Sequence, residues 1–162
     1  MAKHVIFALA LIAPHATWAL PEDRDQPIEI NADSAVINEK ENRAKYEGAV
    51  EVTQGTFKLT GDTIDLTTNA NNEVERFVAI GRPARFQSLR RATDSEPVRG
   101  RSAQITYSYD DEFVTLIGDA EVRSEGSVFS GPEITYDLNS GEVVAAGSRA
   151  DRVNMTMQPK KQ

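Results

Sequence analysis

The sequence contains no cysteine, and its two histidines and its single tryptophan all lie among the first 18 residues. Without cysteine no disulfide can form, so burial of a core must hold the fold together. If the first 19 residues are removed, histidine is absent as well. Ser-His-Asp and Cys-His nucleophile pairs and the usual zinc ligand sets are then excluded. These absences argue against an enzyme, and we expect neither a metal nor a cofactor.

The N-terminus has the composition of a secretory signal peptide. Lys3 precedes an apolar run at residues 5–13, Pro14 ends that run, and small residues stand at Thr17 and Ala19. This pattern predicts cleavage after Ala19, and a retained N-terminal anchor is the alternative. The apolar run is too short to span a bilayer as a helix.

The chain that remains after this cleavage is acidic. The whole sequence carries a net charge of −7, and the loss of Lys3 changes it to −8. An acidic chain argues against nucleic acid as a partner. We therefore expect residues 1–19 to be a cleaved signal peptide, residues 20–157 to form a single domain, and residues 158–162 to be a polar tail.

Apolar and polar residues alternate along almost the whole predicted domain. Ile105, Tyr107 and Tyr109, for example, are separated by single polar residues. Strict alternation is typical of strands with one buried face and one hydrated face. Turn residues such as Asn-Ser-Gly at 139–141 separate these runs. The pattern predicts an all-β protein of many short antiparallel strands, either a jelly roll or an open sandwich.

A strand–turn–strand pattern is present twice, at residues 48–66 and 118–136, with a constant offset of 70 residues. This repetition indicates one sheet unit that was laid down more than once. Gly48 and Gly118 lie inside predicted strands, where glycine permits bends or bulges that curve a sheet around its core. The interior of such a sheet is either a filled core or an apolar trough, and both alternatives stay open.

The acidic residues do not form a recognisable catalytic pair or metal loop. Most of them occupy the polar positions of strands, and they include Glu29, Glu51, Asp65, Glu121 and Asp137. A glycosidase needs two carboxylates that face each other across a cleft, and a calcium loop needs several acids that converge. The placement instead predicts solvated outer faces.

Five short segments carry a family resemblance. They are Asp25-Gln26-Pro27-Ile28, Val52-Thr53-Gln54-Gly55-Thr56, Gly81-Arg82-Pro83-Ala84-Arg85-Phe86, Pro97-Val98-Arg99-Gly100 and Phe113-Val114-Thr115-Leu116-Ile117-Gly118-Asp119-Ala120. In this order, behind a signal peptide, they make the chain resemble the LptA (OstA) family of periplasmic lipopolysaccharide transport proteins of Gram-negative bacteria. The resemblance covers roughly residues 25–153.

This resemblance implies a periplasmic, slightly twisted, open β-jelly roll whose interior holds the acyl chains of lipid A. The predicted lipid contacts share an inward position in their strands, and they are Ile28, Ile30, Val36, Val50, Val52, Leu59, Ile64, Phe86, Tyr107, Tyr109, Val114, Leu116 and Ile134. The alternative function is a secreted structural or carbohydrate-binding β-sandwich with a filled core.

Two terminal segments, residues 28–32 and 153–157, alternate in polarity and contain no internal proline. Exposed strands of this kind can accept a strand from a partner, although they can also be ordinary terminal strands that pair within the domain. The resemblance implies LptC as the partner at the N-terminal edge and LptD at the C-terminal edge. It also implies head-to-tail association of copies of the chain.

A run of arginines lies around a polar segment, residues 90–100, that we predict to be a surface loop. Arginine binds phosphate through two parallel hydrogen bonds, and lipid A carries phosphates. The candidate phosphate contacts are Arg82, Arg85, Arg90 and Arg91. A solvated loop without a ligand is the alternative.

Overall fold

The computed structural model describes residues 23–91 and 94–158, so the predicted signal peptide and most of the polar tail lie outside the described residues. A short 3₁₀ turn at Asp23–Asp25 precedes ten described strands. The strands are β1 Glu29–Asn31, β2 Ser34–Asn38, β3 Arg43–Gln54, β4 Phe57–Thr68, β5 Val74–Ser88, β6 Val98–Ser108, β7 Phe113–Ser124, β8 Ser127–Asp137, β9 Val143–Ala146 and β10 Asn154–Thr156.

All ten strands belong to one antiparallel sheet with the order β1-β3-β4-β5-β6-β7-β8-β10, in which β2 also pairs with β3 and β9 also pairs with β8. The prediction of an all-β, open antiparallel fold is confirmed. The central strands β3 to β8 are longer than predicted, at 11 to 15 residues each. At bulges inside these strands the alternation of apolar and polar residues is interrupted. In the sequence such an interruption looks like the end of a strand. Strand β6 begins at Val98, so the end of the predicted loop at residues 90–100 is strand.

Every ladder between the central strands loses its register near the middle. The shifts fall at Glu47/Val50, Thr60/Thr63, Ile80/Ala84, Arg101/Gln104 and Ile117/Ala120. Such irregularities bend strands and increase their twist. Because they follow one line across the sheet, the sheet doubles over along this line into two layers that share the same strands.

We call these layers the front layer and the back layer. The front layer consists of residues 50–54, 57–61, 84–88, 98–102, 120–124 and 127–131, together with β1 and β10. The back layer consists of residues 43–47, 63–68, 74–80, 104–108, 113–117 and 133–137, together with β2 and β9.

The sequence repeat places a pair of left-handed residues at the bend in two strands. Gly48 and Ala49 in β3 have φ angles of 87° and 45°, and Gly118 and Asp119 in β7 have φ angles of 83° and 51°. Glycine enters this left-handed region without steric strain, which explains its place at the start of both pairs. In both hairpins the register shift leaves one extra residue on the first strand, so the predicted bulges are confirmed.

The two layers contact each other directly. The rings of Phe57 in the front layer and Tyr107 in the back layer stack with centroids 4.4 Å apart. A Cβ atom added at Gly100 in the front layer would lie 2.8 Å from the Leu116 Cδ2 atom in the back layer. The free ends of the layers therefore meet along a seam on the side opposite the bend.

Each edge of the sheet carries two short strands in place of one long strand. At the first edge, β1 pairs with the front part of β3 and β2 pairs with the back part. At the last edge, β10 pairs with the front part of β8 and β9 pairs with the back part. Within the described residues, each of these strands has a partner on one side only. The two segments predicted to lie at the edges are therefore at the edges.

Candidate functional site: an apolar interior closed by a polar seam

Nine of the thirteen predicted lipid contacts lie between the layers, each at most 4% exposed to solvent. They are Val50, Val52, Leu59, Ile64, Phe86, Tyr107, Val114, Leu116 and Ile134. Ile28, Ile30 and Tyr109 are partly buried and pack against this cluster from the periphery. The alternating pattern therefore identified most of the interior side of the sheet.

Val36 was predicted to face the interior, and this prediction is wrong. It pairs with Lys45 on the outer face of the back layer and is 71% exposed. Its neighbours Ala35 and Ile37 pair with the inward residues Tyr46 and Ala44. The inward position changes from even to odd residue numbers between β1 and β2, which the prediction took as one continuous alternation. Even on the inward side β2 is not buried, since Ile37 is 66% exposed at this open edge of the back layer.

The prediction also omitted several buried residues of the interior. They are Phe57, Phe77, Ala79, Ala84, Val98, Ile105, Ala120, Val122 and Tyr136. Most follow the alternation of a predicted strand and could have been included on that ground. Phe77 and Ala79 were harder to identify, because the apolar residues Val78 and Ile80 stand between and after them and hide the alternation.

The interior is filled by its own side chains. Tyr136, Phe77 and Leu59 are among the largest side chains with less than 2% of their surface exposed. A ligand can reach these residues only if the two layers move apart. The seam is the side on which this separation can occur, because the strands are continuous through the bend.

A cavity of about 660 Å³ lies at the seam, and its walls combine polar residues with the apolar side chains of Phe57, Leu89 and Leu138. The N-terminal segment at residues 23–26 contributes to one wall. Asp23 accepts hydrogen bonds from the backbone N–H of Thr56, at 2.8 Å, and from its hydroxyl group. The Gln54 side-chain amide donates to the backbone carbonyls of Arg24, at 3.2 Å, and Gln26, at 2.9 Å.

Polar contacts also join the layers across this seam. The Gln54 amide in the front layer donates to the Tyr109 hydroxyl, which follows the back part of β6, at 2.9 Å. The Arg24 guanidinium lies 4.4 Å from the centroid of the Tyr109 ring. Burial raises the pKa of Tyr107 above its usual range, and the nearby Glu112 carboxylate adds to this increase. The Tyr107 hydroxyl is therefore uncharged at neutral pH.

The four predicted phosphate contacts do not come together. Arg90 and Arg91 are near the seam, but both pair with Asp94 and Glu125. Arg90 also donates to the backbone carbonyl of Ser140 at 3.4 Å, which ties the β5–β6 loop to the end of the back layer.

The other two arginines lie elsewhere. Arg82 is 94% exposed at the bend, 3.6 Å from the Asp62 carboxylate. Arg85 is exposed on the outer face of the front layer, directly opposite Arg101. Proximity in the sequence did not predict proximity in space, because the bend and the strand alternation direct these side chains to different surfaces.

At residues 23–91 and 94–158, no three or more His, Cys, Asp or Glu side chains are grouped so that they could hold a metal ion. Over the same residues, no helix is long and apolar enough to cross a membrane.

The fold and its interior define a class of proteins with one antiparallel sheet that doubles over an apolar interior and is left open at both edge strands. Residues 29–142 match the family model described as LptA/(LptD N-terminal domain) LPS transport protein. The chain belongs to this family.

Curated relatives support this assignment over nearly the full length. The chain is 38% identical to the lipopolysaccharide export system protein LptH of Pseudomonas aeruginosa, over 97% of this chain and 94% of that protein. It is 28% identical to the lipopolysaccharide export system protein LptA of Escherichia coli K12, over 98% of this chain and 86% of that protein.

The fold also matches a solved structure. The crystal structure of LptH from Pseudomonas aeruginosa superimposes with a TM-score of 0.79 at 36% identity, covering 86% of this chain and 100% of that chain. That protein is described as the LptA-homologous periplasmic component of the lipopolysaccharide transport device.

Proposed function

We propose that this protein carries lipopolysaccharide across the periplasm as one segment of a protein bridge, with the acyl chains between its two layers. One observation carries this proposal. The apolar interior continues across all the central strands, from the edge formed by β1 and β2 to the edge formed by β9 and β10. A lipid could therefore pass through from one edge to the other without leaving apolar surroundings.

The interior supplies the free energy that such a passage requires. Each methylene group removed from water is stabilised by about 0.8 kcal/mol, so exposed acyl chains could not cross an aqueous compartment readily. The apolar side chains of the two layers would make no specific polar contact with an acyl chain. This suits a carrier that must also release its lipid. The directional work must come from another component of the transport system.

Binding requires that the layers separate at the seam. There the layers are joined by side-chain contacts, such as the Gln54–Tyr109 hydrogen bond and the stacking of Phe57 on Tyr107. At the bend, by contrast, they are joined by continuous backbone. We therefore place the opening through which acyl chains enter at the seam.

The edges are the proposed contacts with neighbouring proteins. The outer sides of β1 and β2, and of β9 and β10, leave backbone groups available for pairing with strands of another sheet. In this proposal LptC pairs with the first edge, LptD pairs with the last edge, and copies of the chain stack head to tail between them. Because each edge has one strand in each layer, pairing there extends both layers and prolongs the interior.

Photocrosslinking tests the proposed lipid site. A photoreactive phenylalanine analogue is placed at Phe86 and at Tyr107, with Lys45 and Thr106 on the outer face of the back layer as controls. After illumination with lipopolysaccharide, we expect adducts at the two inward positions and none at the outward positions. Thr106 is a close control because it is adjacent to Tyr107 on the same strand. The absence of inward adducts in protein with an unchanged circular dichroism spectrum would overturn the proposal.

The filled interior favours a second candidate, a structural or carbohydrate-binding protein whose core never opens. Gln54→Cys and Tyr109→Cys, joined by a short bismaleimide, would hold the seam closed. We expect this link to abolish lipopolysaccharide binding, whereas a link between Thr106→Cys and Thr115→Cys within the back layer leaves binding intact. If the unlinked protein does not bind lipopolysaccharide, the filled-core function is supported.

A further inference from the structure

Five cations from four adjacent strands lie on the outer face of the front layer, and we call them the basic patch. They are Lys58 in β4, Arg85 in β5, Arg99 and Arg101 in β6, and Arg123 in β7. Cross-strand pairing assembles this patch from positions that are far apart in the sequence. The whole chain has a net charge of −7, so this surface is opposite in sign to the protein as a whole.

The patch contains two pairs of like charges that face each other directly. Arg85 is opposite Arg101, and Arg99 is opposite Arg123. Like charges in this arrangement destabilise a sheet. The fold therefore does not require the basic patch, and a bound anion would remove the repulsion.

Two carboxylates neutralise only part of the patch. Glu121 accepts hydrogen bonds from Arg101 at 2.8 Å and from Arg123 at 2.7 Å, and Glu51 lies 2.6 Å from the Lys58 ammonium. Within the described residues, Arg85 and Arg99 form no ion pair. Their charges are thus the ones available to an added anion.

A small cavity of about 170 Å³ lies at these two arginines. Arg85, Arg99 and Lys58 contribute to its walls together with the polar side chains of Thr60 and Gln87, and Phe86 and Gly100 complete the lining. Thr60 is directly opposite Arg85 and Gln87 is directly opposite Arg99, so donors from three strands converge on one depression. Guanidinium groups and hydroxyl or amide donors in such an arrangement suit a phosphate group.

The patch begins at the edge of the seam. Lys58 and Arg99 are the second residues of β4 and β6, and Arg123 is the next-to-last residue of β7. The ends of these three strands form the front lip of the seam, where the polar part of a lipid would emerge if its acyl chains lay between the layers.

We infer that the basic patch binds phosphate groups of the polar portion of the lipid, with Arg85 and Arg99 as the principal contacts. This inference rests on the proposed function, because that function places the lipid at the seam. The phosphorylated headgroup would fold over the front lip and neutralise the repulsion within the patch. The acyl chains would provide affinity, and the patch would select phosphorylated lipids.

The test compares the binding of phosphorylated and enzymatically dephosphorylated lipopolysaccharide to the parent protein and to the double variant Arg85→Gln/Arg99→Gln. We expect the double variant to bind the phosphorylated lipid roughly tenfold more weakly, because charge-assisted hydrogen bonds are lost. Its affinity for the dephosphorylated lipid should equal that of the parent. The matched control is Arg76→Gln/Arg149→Gln, which removes the same charge from exposed positions outside the patch.

Three outcomes would overturn the inference. The first is an unchanged preference for the phosphorylated lipid in Arg85→Gln/Arg99→Gln. The second is an equal loss in the control variant, which would indicate a general effect of net charge. The third is that inorganic phosphate alone occupies the patch in the parent while dephosphorylation leaves lipid affinity unchanged, which would indicate a site for a free anion. Inward photocrosslinks in the parent protein show separately whether the proposed function itself holds.

Discussion

The front and back layers share the same strands, yet their outer surfaces differ. Between the layers, both present apolar side chains that are almost completely buried. On the outside, the front layer carries the basic patch, whereas threonines and apolar residues occupy the centre of the back layer, with Thr106 paired to Thr115 and Thr115 paired to Thr135. The fold thus constrains one face of each strand and leaves the other face free to acquire a function.

The largest predicted effect contrasts the two faces of a single strand. Ile105 is fully buried and Thr106 is its outward neighbour on β6. Ile105→Asp should lower the free energy of unfolding by more than about 4 kcal/mol, because it buries an unpaired charge. Thr106→Asp should lower it by only about 1 kcal/mol, the cost of replacing a strand-favouring residue by a strand-disfavouring one. Urea denaturation measures both values, and similar losses would contradict the assignment of faces.

The next prediction tests whether the inner faces of the two layers are equivalent. Leu59 in the front layer and Leu116 in the back layer are both fully buried. Leu59→Ala and Leu116→Ala should each lower the free energy of unfolding by about 2–5 kcal/mol, since each leaves a cavity in the same core. A loss confined to one variant, measured by denaturant titration, would show that only one layer contributes to a shared core.

A smaller predicted effect concerns one carboxylate in each layer, Glu121 in the front layer and Asp137 in the back layer, whose pKa values are lowered by different groups. Hydrogen bonds from Arg101, and then from Arg123, lower the pKa of Glu121 below 4.5. The hydroxyl of Ser140, followed by backbone N–H groups, lowers the pKa of Asp137 below 3.8. Each contributes stability that is present above its ordinary pKa and is lost as the pH falls through the lowered pKa.

Glu121→Gln and Asp137→Asn should therefore each flatten the acid side of the stability profile, followed by thermal melts between pH 2 and pH 6. Added salt should reduce the contribution of Glu121 more than that of Asp137, because only Glu121 relies on ion pairs with cations. An equal response to salt would contradict the different causes given for the two carboxylates.

The smallest predicted effect is a gain in the free energy of unfolding, whereas the other substitutions lower it. Arg99→Gln removes one of two like charges that face each other in the front layer. In the absence of a ligand, this substitution should raise the free energy of unfolding by about 0.2–1 kcal/mol. Lys45→Gln in the back layer is the control, because it breaks an ion pair with Glu47 and should not stabilise the protein. A loss of stability in Arg99→Gln would show that the patch supports the fold.

Alternation and turn residues predicted the all-β fold, both edges and most of the interior. Glycines at the repeat positions also predicted the bulges, because few other residues accept that backbone conformation readily. Alternation failed at Val36, since the inward position changes within a short stretch that no glycine marks. It also failed at Phe77, where both faces of the strand carry apolar residues.

The proposed phosphate site could not be identified from proximity in the sequence. Arg82, Arg85, Arg90 and Arg91 are close in the chain, but two are paired with acids near the seam and one lies at the bend. Lys58 and Arg123 lie far from the other members of the basic patch in the sequence and reach them only through the pairing of β4 with β5 and of β6 with β7. Such a cluster can be identified only when the register of the paired strands is known.

The bend separates the factors that set the width and the length of the interior. Since both layers contain the same strands, the width of the interior is set by half a strand, and its length is set only by the number of strands. Neighbouring strands lie about 4.8 Å apart, so the four steps from β3 to β7, encoded by the repeat, correspond to about 19 Å. Duplicating this segment would lengthen the apolar interior by a fixed increment without altering its cross-section. A second copy of the chain that joined at an edge would lengthen it in the same way.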